Sequence, residues 1–404
     1  MTRASLYPES FPDATEEAFL RLVLAPDPEF RARWDAWRKV TVFDDIPFAV
    51  LRALPMLHLR LAALSIEDGA ITGRIRGVYR QAWFRNQLLL DRTAAIVADF
   101  AAAGIPVMLL KGVAMMTDVF PSAGARMTDD ADLLLREAHV ETAVARLRKA
   151  GWHQVGLALS DSVDFTGAHT ALSHAATFEI PDRAKLDLHW QAFYNAAELH
   201  PLRLLMLRKP PAQTALTEAQ WSRARSGHIK GVPVLLQSFE DMLLHTMVHG
   251  ARANHHRPFR WVLDAAAIIG TGQVDFGRFA AIAAATPYAI HARIACRYLS
   301  ERMGLPVPAG ALAVLDAVPV SGRTVRLYYA DGRLRPPALL GSLPSIWYVY
   351  WKAHARGSFA GRLRRFPDYL RRQWALPPEA GLARFAIARY RARLPGRLRR
   401  AVGR

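Results

Sequence analysis

Residues 104–135, GIPVMLLKGVAMMTDVFPSAGARMTDDADLLL, constrain the fold more than any other stretch. Gly104 closes a long amphipathic run, and the apolar segment 105–110 that follows is too short for an ordinary helix. It predicts a buried strand. VAMMTDVF predicts a short helix and PSAGAR a loop. Residues 130–135 then predict a second strand, ending in Leu133, Leu134 and Leu135, with Asp129, Asp130 and Asp132 at its mouth. Two buried strands joined by a helix need a sheet, and the acids sit where that sheet emerges.

The flanks are mainly helical. Apolar residues recur at three-to-four spacing over 16–65, and 78–104 reads as one amphipathic helix stopped by Gly104. A helix over 136–151 again ends at a glycine. Residues 176–180 and 184–190 alternate like paired strands, with PDR as their turn. Beyond about residue 200 the pattern is mostly helical, at 238–252, 259–270, 276–285 and 288–303, with RLYYADGRLRPP and GSLPSIWYVYWKAH irregular or mixed. The expected class is α+β, a small mixed sheet flanked by mainly helical N-terminal and C-terminal regions. The expected division is 1–77, 78–200, 201–310 and 311–404.

The chain has 404 residues and a formal charge of +18, unevenly spread. Residues 356–404 hold 14 arginines, no lysine and only two acids, Asp368 and Glu379. With Trp347, Tyr348, Tyr350 and Trp351 before it, the stretch 347–404 reads as a contact surface for the phosphates of an anionic membrane or of RNA. A solvated arginine-rich helix has the same composition. Cys296 is the single cysteine, so neither a disulfide within the chain nor a multi-cysteine zinc site can form. With no run of 18 uncharged apolar residues, the expected location is the cytoplasm, peripheral to a membrane if the tail binds lipid.

Asp130 and Asp132 are two residues apart, which puts both side chains on one face of a strand. Converging carboxylates repel unless a cation separates them, and Mg²⁺ takes carboxylates together with phosphate oxygens. LDLHW supplies a third acid, Asp187, on one strand face with His189. If that strand lies beside 130–135, the three acids form a triad suited to two metal ions and in-line phosphoryl or nucleotidyl transfer. Acids flanking a strand are also common as solvated loop residues. Asp129, on the other face, reads as a surface residue.

These blocks resemble the uncharacterised nucleotidyltransferase family of the DNA polymerase β-like superfamily. The residues that carry the resemblance are Lys111, Gly112, Phe120, Pro121, Arg126, Asp130, Asp132 and Leu134, then Asp187, His189 and Trp190. His245, His249, Arg260, Trp261 and Asp264 extend it into the helical part. The resemblance implies a Mg²⁺-dependent nucleotidyltransferase that joins the nucleoside monophosphate of an NTP to an unidentified acceptor. Asp130, Asp132 and Asp187 would be both catalytic residues and ligands of two Mg²⁺ ions. Lys111 and Gly112 would bind the triphosphate, where the wider superfamily has a Gly-Ser pair. Arg126 would reach the γ-phosphate or form a salt bridge that orders the acidic loop. An RNA-end nucleotide-adding enzyme and a non-catalytic binding protein of the same fold stay open.

Smaller readings complete the set, and among them Trp261 and Asp264 are expected to hold the helices together and Arg260 to reach phosphate. His245 and His249 share a helix face but lack a zincin glutamate, so the pair is expected to pack against the sheet or the nucleotide. NHHRP (254–258) reads as a loop, and Cys296 as a buried structural thiol. As a solvent-facing ligand, Asp132 is expected to tolerate Asp132→Asn with little loss of folding.

Overall fold

The computed structural model describes residues 7–155, 174–180, 184–193, 211–250, 259–331, 350, 358–373 and 381–382. The N-terminal part holds helices α1 (Ala14–Val23), α2 (Asp27–Val40), α3 (Phe48–Leu51), α4 (Leu54–Ala63) and the long α5 (Gly69–Ala102). A capping box starts α1. The Asp13 carboxylate accepts from the Thr15 and Glu16 backbone N–H groups, and Glu16 accepts from that of Asp13.

Helix α5 ends as its glycine predicts. Gly104 takes φ +70°, its N–H donates to the Ala101 carbonyl, and the Ile105 N–H donates to that of Phe100. This is a Schellman cap. It turns the chain directly into strand β1 (Met108–Leu110), all of whose residues are buried. Helices α6 (Lys111–Asp118) and α7 (Val140–Lys149) flank strand β2 (Asp130–Leu134) in the chain. The same cap recurs after α7 at Gly151, before strand β3 (His153–Val155).

Strands β4 (Ala175–Glu179) and β5 (Lys185–His189) form the expected antiparallel hairpin, its turn residues 181–183 lying outside the described residues. Strands β6 (Arg225–Ile229) and β7 (Val232–Leu236) complete a mixed sheet ordered β3-β4-β5-β2-β1-β7-β6. At its centre β1 runs antiparallel to β2, β2 parallel to β5, and β1 parallel to β7.

The sequence reading missed β3 and the β6–β7 hairpin, and it placed no strand beyond residue 200. Pro233 hides β7, because proline is rare inside a central strand. Here β1 pairs with β7 only at Leu235 and Leu236, so Pro233 lies past the end of that ladder. The hairpin turns at Lys230 and Gly231, with φ +49° and +82°. Two positive φ values suit the tight turn that matches strand twist.

The remaining helices are α8 (Pro211–Ser222), α9 (Phe239–Gly250), α10 (Trp261–Gly270), α11 (Phe276–Ala284), α12 (Ala289–Glu301), α13 (Ala309–Ala317), α14 (Gly322–Asp331) and α15 (Phe359–Gln373). One apolar core runs from Phe11 to Tyr328 and takes in both faces of the sheet. Cys296 lies within it, its thiol pushed up to about 12 by burial. A second, small cluster joins Tyr350 to Tyr369 and Leu370 of α15. Most of the aromatic and basic tail lies outside the described residues, as does NHHRP. Among the described residues, no helix is long and apolar enough to cross a membrane.

Candidate active site

Register brings the acids together. Asp132 and Asp187 are direct Cα partners across the parallel β2–β5 ladder, so both side chains stand on one face. Asp130 precedes Asp132 by two residues and shares that face. All three line a cleft of about 580 Å³, together with Lys111, Gly112 and Arg126.

Asp132 is buried, with 3% of its surface exposed, so it is not the solvent-facing ligand the sequence suggested. Its Oδ1 accepts from Lys111 Nζ at 2.5 Å and from His189 Nε2 at 2.9 Å. Against an ionised carboxylate the imidazole must be the donor. That assignment leaves His189 Nδ1 buried without a hydrogen-bond partner among the described residues. Burial alone would raise the Asp132 carboxyl, but Lys111 and His189 outweigh it and hold the group well below the usual carboxylate range. Asp130 goes the other way. Burial, then the like charges of Asp132 and Asp187, push it up to about 6 against the pull of Lys111 and Arg126. Asp187 accepts from the Thr177 hydroxyl at 2.6 Å.

Lys111 reaches Asp132 because of a sharp strand-to-helix turn. It is the first residue of α6 and takes φ +48°, a left-handed conformation that costs a lysine roughly 1–2 kcal/mol. Gly112 follows. A Cβ there would strike Arg126 Nη1 and lie 2.8 Å from Thr128 Cγ2. The space over Gly112 is thus taken by the side chains of the incoming loop.

That loop is held from α5. Asn86 is fully buried and donates to the Ala123 and Arg126 carbonyls at 2.5 and 2.6 Å. The Tyr79 hydroxyl meets Ser122 Oγ at 2.8 Å. Arg126 then points across the cleft. Its Nε and Nη2 clasp the Asp264 carboxylate at 3.0–3.2 Å, and its Nη1 donates to Thr128 Oγ1 at 3.0 Å. Of its two expected roles, the structure displays the salt bridge. The partner is Asp264 of α10, not a residue of the acidic loop.

Sequence reasoning missed two contributors. Arg52, after α3, pairs with Asp129 at 2.6 Å and lines the cleft. Thr177 anchors Asp187. Neither carries a local signal, since each acts through strand pairing or a contact far along the chain. The expected helical pair also faces the cleft, where the His245 and His249 rings lie 6.1 Å apart. Burial, then Lys111, push His245 down to about 3, so it is neutral at physiological pH.

The donor set fits a divalent cation. Ligand atoms of Asp132, Asp187 and His189 lie within 4.8 Å of one another, and Asp130 lines the same cleft. Carboxylate oxygens suit Mg²⁺ or Mn²⁺, while an imidazole nitrogen widens the choice to ions such as Zn²⁺.

No curated protein matches the chain significantly. The chain is similar to a crystal structure described as an antigenic nucleotidyltransferase-like protein from Paracoccidioides brasiliensis. Identity is 12% over 59% of this chain and 96% of that one, with a TM-score of 0.34. A family model described as uncharacterised nucleotidyltransferase matches residues 49–304, from α3 through the acids to the end of α12. With more than half its length matched, this chain belongs to the family of uncharacterised nucleotidyltransferases.

Proposed function

We propose that the chain transfers a nucleoside monophosphate from an NTP to a hydroxyl or phosphate oxygen of an acceptor, with release of pyrophosphate and dependence on Mg²⁺. The observation that carries this reading is the alignment of Asp132 and Asp187 across parallel strands with Asp130 on the same face, all open to one cleft. Asp130, Asp132 and Asp187 would hold the metal, which when bound supplies positive charge against the triphosphate and acidifies the attacking hydroxyl. His189 fixes the rotamer of Asp132 through its hydrogen bond. Asp187, fixed by Thr177, takes the acceptor proton as the acceptor oxygen bonds to the α-phosphorus. The bond from that phosphorus to the bridging oxygen breaks, and pyrophosphate carries the electrons away. Lys111 and Gly112 open the turn at which the triphosphate approaches, and Arg126 adds charge beside it.

A labelling experiment tests the reading. The chain is incubated with Mg²⁺, a cell extract and an NTP labelled at either the α- or the γ-phosphate. Transfer of the α-label but not the γ-label, lost in Asp187→Asn, is the expected result. Transfer of the γ-label would replace the reading with phosphoryl transfer.

A further inference from the structure

The cleft has a cationic end that the transfer chemistry leaves largely unused. Arg52, Arg126 and Arg260 all line it. Arg126 is spent on Asp264 and Thr128, and Arg52 pairs with Asp129. Arg260 is different. Its Nη1 donates to the Met127 carbonyl at 2.6 Å, and among the described residues no carboxylate lies within ion-pair distance of it. Residues 251–258, just before it in the chain, contain no acid.

A guanidinium carries five N–H donors in a planar fork, so one carbonyl leaves most of them unused. Burial, reinforced by the neighbouring Arg126, pushes Arg260 down to about 9. The charges acting most on Arg260 are those of Arg126, Asp264, Arg52 and Asp129. Arg126, by contrast, also feels Asp130 and Asp132. A tetrahedral dianion matches both the fork and the unmet charge.

We propose that Arg260, assisted by Arg52, anchors a phosphate subsite in the cleft beside the Met127 carbonyl, to which both arginines donate. The group it takes is a phosphate, either the terminal one of the nucleotide or one carried by the acceptor. The subsite rests on the transfer reading only for the source of that phosphate.

The test uses the full chain in EDTA at constant ionic strength. Melting temperature is followed against orthophosphate, pyrophosphate and tripolyphosphate for wild type, Arg260→Gln, Arg260→Lys and Asp132→Asn. Wild type and Asp132→Asn are expected to be stabilised alike. Arg260→Gln is expected to bind about tenfold or more weakly, and Arg260→Lys to fall between. If Arg260→Gln does not fold, Arg260→Lys and Arg52→Gln report on the same subsite. No stabilisation of wild type by any of the three anions, or equal binding by the Arg260 and Arg52 variants, would overturn the proposal. NTP affinity in Mg²⁺ then assigns the source. A parallel loss for NTP in Arg260→Lys points to the nucleotide, and an unchanged NTP affinity points to the acceptor. Since the anion titrations contain no metal, their failure leaves the transfer reading intact. Loss of only Mg²⁺-dependent NTP binding in Asp132→Asn leaves the subsite intact.

Discussion

Asp132 and Asp187 face each other across the β2–β5 ladder, yet only Asp132 is locked beneath two donors, Lys111 Nζ and His189 Nε2. Geometry makes them a pair, and their surroundings make them unequal. Asp132 is built into the fold, while Asp187 is half-buried and answers to a single hydroxyl. The two should therefore respond differently to substitution.

Asp132→Asn is expected to abolish transfer and also to destabilise the protein, by roughly 1–3 kcal/mol, because Lys111 loses its counter-charge at a buried site. Asp187→Asn should abolish transfer with a smaller stability loss. Urea denaturation of both variants measures the difference. Equal, negligible losses would contradict the role given to the Lys111–Asp132–His189 cluster.

Asp130→Asn should act in the opposite direction without metal. The folded Asp130 carboxyl lies above its ordinary value, so its favourable contribution is full below about pH 4. It is lost as the pH rises through about 6. In EDTA the variant should match wild type near pH 4 and exceed it at pH 8, with about 3 kcal/mol as the ceiling. Denaturation midpoints at the two pH values check this. A stability difference independent of pH would contradict the like-charge origin of the shift.

Gly112→Ala should destabilise by about 1–3 kcal/mol, since the new methyl must displace Arg126 or Thr128 from a packed position. The same substitution at Gly104 meets no atom within 4 Å and acts only through its positive φ. Thermal melts of the two variants separate steric from conformational cost. Full tolerance of alanine at Gly112 would show that Arg126 is free to move.

Asp264→Asn strips Arg126 of its carboxylate at a site where both side chains are about one-tenth exposed. A loss of about 3–5 kcal/mol is expected. The double variant Arg126→Met, Asp264→Leu should recover part of it, because it leaves no unpaired charge. A double variant worse than the sum of the singles would contradict this account of the pair.

The sequence displayed some of this and hid the rest for physical reasons. Strand alternation and short apolar runs exposed β1, β2, β4 and β5, because their periodicity is local. The two glycine-capped helix ends were legible for the same reason. The adjacency of Asp132 and Asp187 was conditional in the residues themselves and gained weight from the family resemblance, since strand order leaves no local trace. The β6–β7 hairpin was disguised by Pro233 and by a turn without the usual Asn or Asp. The Arg126–Asp264 clasp spans 138 residues, and no spacing rule reaches that far. Burial of Asp132 depends on Lys111 and His189 converging from two other elements. A strand edge read from sequence alone therefore looked more open than it is.

The central claim is that the three acids form a metal-dependent triphosphate site. The most direct measurement is the melting temperature of wild type and Asp132→Asn with each of the four NTPs, with and without Mg²⁺. The expected result is a rise for at least one NTP that needs both Mg²⁺ and Asp132, growing with ligand concentration as binding to the folded state requires. The absence, for every NTP at millimolar concentration, of any further rise that needs both Mg²⁺ and Asp132 would contradict it.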